Sequence, residues 1–246
     1  MIDLSVWQWV LMIFAAAMIG LAKTGLAGVG MLSVAIFANI LPTKLSSGFV
    51  LPMLIFADVV AVASYRRHTE WKHVWRLLPW TAAGVIIGYF AMNRIDNREA
   101  ALLIGSIVLA MTAMQIWRKY RPAAADAQTP GWLAPVIGVL AGFTTLVANA
   151  AGPLMAIYLL AMRMPKLAFV GTAAVFFMVL NVFKVPFMID LGLITTGSFG
   201  TNLILAPAVL AGALFGRWLL PRINQRVFEL LVLAFSLLAG LKLLWG

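Results

Sequence analysis

The 246-residue chain contains no cysteine, and only 11% of its residues are charged. Without a thiol there can be no disulfide, thiolate nucleophile or thiolate metal site. Its two histidines, His68 and His73, share one polar stretch in which Glu70 is the only other metal-ligating side chain. That set is too small for a metal centre, and a solvated loop is the expected setting. The sequence also lacks His-Glu-x-x-His, Gly-x-Ser-x-Gly and a phosphate-binding loop. Neither intramembrane catalysis nor ATP hydrolysis by this chain is expected, and no cofactor or metal is implied. The N-terminus, starting Met1-Ile-Asp-Leu-Ser, lacks the basic segment of a signal peptide, so it is expected to be retained.

What the chain has in quantity is apolar surface. It is 63% hydrophobic, with a mean hydropathy of +1.01. A soluble protein of this length could not hide that much, so the lipid bilayer is the expected partner. The net charge of +10 then reflects basic residues gathered in loops on one side of a membrane, and no nucleic-acid partner is expected. Apolar runs fall near 5–22, 26–41, 45–64, 77–92, 100–117, 132–149, 153–163, 167–189, 198–220 and 227–245. Most of them reach the length of ~17–20 residues needed to cross a bilayer. The reading is an all-α, multi-pass integral membrane protein with one membrane domain over 1–246.

The second half repeats the first. Pro79, Ala83, Gly84, Gly88, Arg94, Ile95 and Arg98 recur as Pro207, Ala211, Gly212, Gly216, Arg222, Ile223 and Arg226, all at an offset of 128, as do Trp117 and Trp245. Earlier pairs fall at slightly smaller offsets: Trp9 with Trp132, Gly20 with Gly142, Gly30 with Gly152, Pro42 with Pro165 and Gly48 with Gly171. The first repeat covers 1–121 and the second 132–246, joined by a loop over 122–131. Repeats of this size are a common basis for transporters.

Each half begins with an interrupted helix. Residues 5–41 carry one charge, Lys23, and as a single helix would measure ~55 Å against a hydrocarbon core of ~30 Å. The break is expected at Lys23-Thr-Gly-Leu-Ala-Gly-Val-Gly30, with a new helix starting near Leu26. The second half matches it at Phe143-Thr-Thr-Leu-Val-Ala-Asn-Ala-Ala-Gly-Pro153, with a helix restarting near Pro153. Loop charges distinguish two topologies. If each broken segment crosses once, the Lys and Arg residues divide 8 to 9. If each is a re-entrant hairpin, they divide 12 to 5. The positive-inside rule favours the hairpins. Each half then has a broken helix or hairpin followed by three transmembrane helices, and the halves are inverted.

These stretches, together with Ala57-Asp-Val-Val-Ala-Val-Ala-Ser-Tyr-Arg-Arg67 and the segment from Phe169 through Gly171 and Thr172, resemble the TauE/SafE family of sulfite exporters. The resemblance spans essentially the whole chain. It departs from the family's glycine triplet at Gly28-Val-Gly30 and at Ala150-Ala-Gly152. The resemblance implies a location in the bacterial inner membrane. It also implies transport of a small anion such as sulfite, sulfoacetate or a related organosulfonate.

The residues that would do this follow from the breaks. A helix restarting inside the membrane offers unpaired N–H groups and a partial positive charge to an anion. The candidate substrate-binding set is Lys23, Thr24, Gly25, Gly28 and Gly30 at the first break, with Thr144, Thr145, Asn149 and Gly152 at the second. Asp58 is the only acid deep in an apolar run. It is a candidate for proton coupling, or it pairs with Lys23 or Lys184. Its repeat partner Asn181 is a supporting polar residue. Lys184, near the end of its run, is expected to reach the interface as an anchor, and the glycine pairs 84/88 and 212/216 to serve helix packing. The leading function is a secondary transporter working by alternating access. An anion channel and a non-transporting subunit of a larger assembly are the alternatives, and a homodimer is compatible with all three.

Overall fold

The computed structural model describes residues 5–26, 29–41, 43–92 and 131–245, with scattered positions between 94 and 117. The expected run at 100–117 and the loop at 122–130 therefore fall wholly or partly outside the described residues. Among those described there is no strand. The helices are α1 (Val6–Thr24), α2 (Gly30–Ile40), α3 (Thr43–Tyr65), α4 (Trp71–Ala91), α5 (Leu133–Ala148), α6 (Ala151–Ala161), α7 (Lys166–Asp190), α8 (Thr196–Leu219) and α9 (Gln225–Trp245). Helices α1, α3, α4, α7 and α8 supply five spans long and apolar enough to cross a membrane.

Local sequence explains the ends. Ser5 caps α1, its hydroxyl accepting from the Gln8 N–H while the Gln8 side chain accepts from the Ser5 N–H. Thr195 and Ser198 form the same reciprocal cap on α8, each satisfying donors that a helix start leaves open. Both expected breaks occur. α1 stops at Thr24, with Gly25 following it, and α2 starts at Gly30, later than Leu26. α5 stops at Ala148 and α6 starts at Ala151, ahead of Pro153. Pro153 falls in the first turn of α6, where a missing N–H leaves no bond unmade.

The 11 residues each of α2 and α6 rise only about 16 Å, roughly half a hydrocarbon core. α6 is enclosed by protein, its residues from Ala151 to Leu160 buried except Gly152. An all-apolar sequence suits that position.

Three helix pairs carry the packing, and glycine sets their spacing. A Cβ built on Gly20 of α1 would lie 2.0 Å from the Val209 carbonyl oxygen of α8, and one on Gly212 would lie 1.8 Å from the Ala17 oxygen. In the α4 and α5 pair, a Cβ on Gly142 would lie 2.0 Å from the Thr81 oxygen and one on Gly84 would lie 2.1 Å from the Val139 oxygen. The two crossings correspond residue by residue. Ala17 and Gly20 map to Val139 and Gly142 at an offset of 122, and Thr81 and Gly84 map to Val209 and Gly212 at 128. Each crossing joins a helix of one half to a helix of the other. The packing role expected of Gly84 and Gly212 is what the structure shows, with Gly142 and Gly20 facing them across the two crossings.

In the third pair, α3 and α7 run antiparallel. Gly48 abuts Leu193 beyond the end of α7, and Gly171 near its start abuts Tyr65 at the end of α3.

Gly212→Val should therefore lower the melting temperature in detergent by roughly 5–10 °C, since backbone oxygen cannot move aside for the new Cβ. Gly200→Ala, where nothing lies within 4 Å of the added carbon, should stay within about 2 °C of wild type. Equal melting of the two variants would show that the α1 and α8 contact does not set the spacing.

Candidate functional site

The two breaks meet at one cavity of about 90 Å³, whose walls include Lys23 and Gly30 from the first and Thr145, Asn149 and Gly152 from the second. Asn181 of α7 completes its polar lining, and Leu54, Met155 and Phe177 are among its apolar walls. Gly30 and Gly152 lie at the starts of the short helices α2 and α6. The positive ends of two half-helices thus border the same space.

Lys23 sits in the last turn of α1 and reaches across to α3. Its Nζ lies 2.8 Å from Asp58 Oδ1 and 4.2 Å from the centre of the Phe177 ring on α7. Asp58 is wholly buried. Its second oxygen, Oδ2, accepts from Asn181 Nδ2 at 2.6 Å. Of the two partners open to Asp58, the structure thus selects Lys23. It also bonds Asp58 to its own counterpart in the repeat, since Asp58 and Asn181 are related by the offset of 123 that relates Gly48 and Gly171.

Lys184 does not reach the interface as expected. It is 0% exposed, and its Nζ donates to Thr145 O at 2.9 Å, Thr145 Oγ1 at 3.0 Å and Asn149 Oδ1 at 2.7 Å. The C-terminal end of α5 attracts it, since a helix end carries partial negative charge. Sequence reasoning placed it by distance from the helix end. The available signal was its spacing of three from Asn181, which puts both on one helix face.

Asn149 takes a left-handed conformation with φ 51° and ψ 30°, which Asn tolerates better than most residues. Its N–H returns to Thr145 O at 3.1 Å, and its Nδ2 donates to Ser47 O on α3 at 2.9 Å. One side chain therefore joins α3, α5 and α7.

The other sequence candidates lie elsewhere. Thr24 is buried, and its hydroxyl donates to Ala213 O on α8 at 2.6 Å. Gly25 packs against Gly216. Tyr65 OH donates to Thr24 O at 3.0 Å. These three contacts brace the first break against α3 and α8, and neither Thr24 nor Gly25 lines the cavity. Thr144 is buried with its hydroxyl 3.3 Å from Ala141 O and does not line it either. Gly28 lies outside the described residues.

His68 is exposed, as expected, but His73 is partly buried with Nδ1 2.9 Å from Tyr158 OH on α6. The basic stretch is therefore fixed against the second half-helix, with the Thr69 hydroxyl also donating to Gly171 O at 3.1 Å. Among the described residues, no group of three or more His, Asp or Glu side chains is placed to hold a metal ion.

Around the cavity, the titratable side chains are those of Lys23, Asp58 and Lys184. The arrangement offers a small anion charge, amide and hydroxyl donors, and two helix starts, within walls that are otherwise apolar.

Comparison with known proteins accords with this geometry. A stretch of 178 residues is 26% identical to the probable inner membrane transporter protein TsaS of Comamonas testosteroni, covering 70% of this chain and 72% of that protein. Shorter stretches match the probable membrane transporter protein MamO, at 32% identity over 81 residues in Paramagnetospirillum magneticum and 35% over 57 residues in Magnetospirillum gryphiswaldense. These cover 30% and 23% of this chain but only 13% and 9% of the two MamO proteins. No solved structure gives a significant match. The profile described as Sulfite exporter TauE/SafE matches residues 12–243, and the chain belongs to that family of membrane proteins.

Proposed function

We propose that this chain is a secondary transporter that moves one small anion, with sulfite, sulfoacetate and related organosulfonates as the first candidates, across the bacterial inner membrane by alternating access. The observation that carries this reading is the cavity of about 90 Å³ between two helix breaks, with Lys23 in its wall. The family and the transporter names of its relatives support it. The anion sits against Lys23, Thr145, Asn149 and Asn181, with the N–H groups at Gly30 and Gly152 completing its coordination.

Substrate and Asp58 compete for Lys23. An anion that draws the Lys23 ammonium into the cavity leaves Asp58 buried beside Asn181 without a counter-charge, which is costly in a dry interior. A proton on Asp58 removes that cost, so anion and proton move together.

The inverted arrangement of the halves is part of the same proposal. It is supported by the antiparallel run of the corresponding helices α3 and α7, by the matched glycine crossings, and by the 12 to 5 division of loop charges. In this arrangement the cavity is reached from either side by rocking one half against the other.

The decisive experiment is uptake of radiolabelled sulfite and sulfoacetate into proteoliposomes. Lys23→Ala should raise KM by about 10–100-fold, the value of a charge-assisted hydrogen bond in a dry site. Unchanged KM for every transported anion would remove Lys23 from the site.

With a pH gradient imposed as the sole driving force, wild type should accumulate the anion and Asp58→Asn should only equilibrate it. Equal accumulation by both would make Asp58 a structural partner of Lys23 and Asn181.

The cysteine-free background makes topology directly testable. Glu70→Cys should label with an impermeant maleimide only from the cytoplasm and Asp190→Cys only from outside. Labelling of both from one side would rule out the inverted halves.

A further inference from the structure

Lys184 occupies an unusual position for a buried lysine. An ammonium group has three N–H donors and no acceptor, and all three meet oxygen: Thr145 O, Thr145 Oγ1 and Asn149 Oδ1 at 2.7–3.0 Å. These are a backbone carbonyl, a hydroxyl and an amide oxygen, all neutral, drawn from the last turn and the cap of a broken helix. Transporters with interrupted helices coordinate an alkali cation with this kind of donor set, in this kind of place.

At the first break the carbonyls meet other partners: Thr24 O accepts from Tyr65 OH and Leu21 O from the N–H groups of Gly25 and Leu26. Lys184 stands behind Thr145 and Asn149, which line the cavity, so its charge acts on the site through the groups it holds.

We propose that the Lys184 ammonium is a tethered cation occupying an alkali-cation site built from Thr145 and Asn149. It fixes the end of α5 and the left-handed cap at Asn149 in the form that faces the anion cavity, so the site needs no sodium. Removing the side chain should open that site to a free monovalent cation. The inference rests on the transporter reading for its role, but its test does not require that any anion be transported.

The test is the melting temperature of purified protein in detergent, with NaCl or methylammonium chloride exchanged for choline chloride at constant ionic strength. Wild type should melt at the same temperature in all three. Lys184→Ala should melt lower in choline, then rise saturably by about 5 °C with sodium or methylammonium at concentrations near 100 times Kd. Adding Thr145→Val should abolish that rise. Absence of any cation-specific rise in Lys184→Ala would overturn the proposal. So would a saturable sodium effect on wild type, a measurement that needs no variant to fold.

Discussion

The structure depends on ending two helices in the apolar interior of the protein without leaving their backbone groups bare. An unpaired peptide group in hydrocarbon costs several kcal/mol, and each break exposes donors on one side and acceptors on the other. The first break is closed by Gly25 and Leu26 turning back onto Leu21 O, and by Tyr65 from α3 donating to Thr24 O. The second is closed by Asn149 and Ala150 turning back onto Thr145 and Thr144, and by Lys184 from α7. Neither break is self-sufficient. Each needs a side chain from a neighbouring helix, and that helix must come close. The glycines at 20, 84, 142 and 212 are what allow the approach, since any Cβ there would run into backbone. Close packing and the breaks are thus one requirement.

That requirement explains which parts of the molecule were legible in the sequence. Both breaks were, because an apolar stretch too long for one span must stop, and glycine or Asn followed by Pro marks the place. The glycine crossings were legible from their recurrence. Asp58 was legible because an acid in an apolar run stands out, and Lys23 was among its foreseen partners. Side-chain direction was not legible. In a soluble helix, the polar face shows which side points to water. Here lipid and core are both apolar, so nothing in the sequence showed that Thr24 turns to α8, or that Lys184 turns inward to α5. His73 was missed for a related reason: a basic stretch reads as solvated, while its contact with Tyr158 depends on where α6 ends up.

The two halves share their backbone crossings but not their chemistry. Lys23 corresponds to Thr145, Asp58 to Asn181, and Ala61 to Lys184. The difference follows from where these residues sit. Asp58 and Asn181 touch each other at 2.6 Å, and two carboxylates at that distance in a buried place cannot both be ionised. A residue in contact with its own counterpart cannot carry the same charge as that counterpart without strong repulsion. Asn in place of Asp turns the contact into a hydrogen bond and leaves one carboxylate for one ammonium.

The same logic accounts for the cations. Each break has an ammonium group beside it, but from different helices: Lys23 from the break itself, and Lys184 from α7 to the break at Thr145. A lysine at 145 as well would confront Lys184 at contact distance, and an Asp at 181 would confront Asp58. The chain keeps one cation per break and one anion between them. The glycine crossings recur in both halves, while Lys23, Asp58 and Lys184 have uncharged counterparts in the other half.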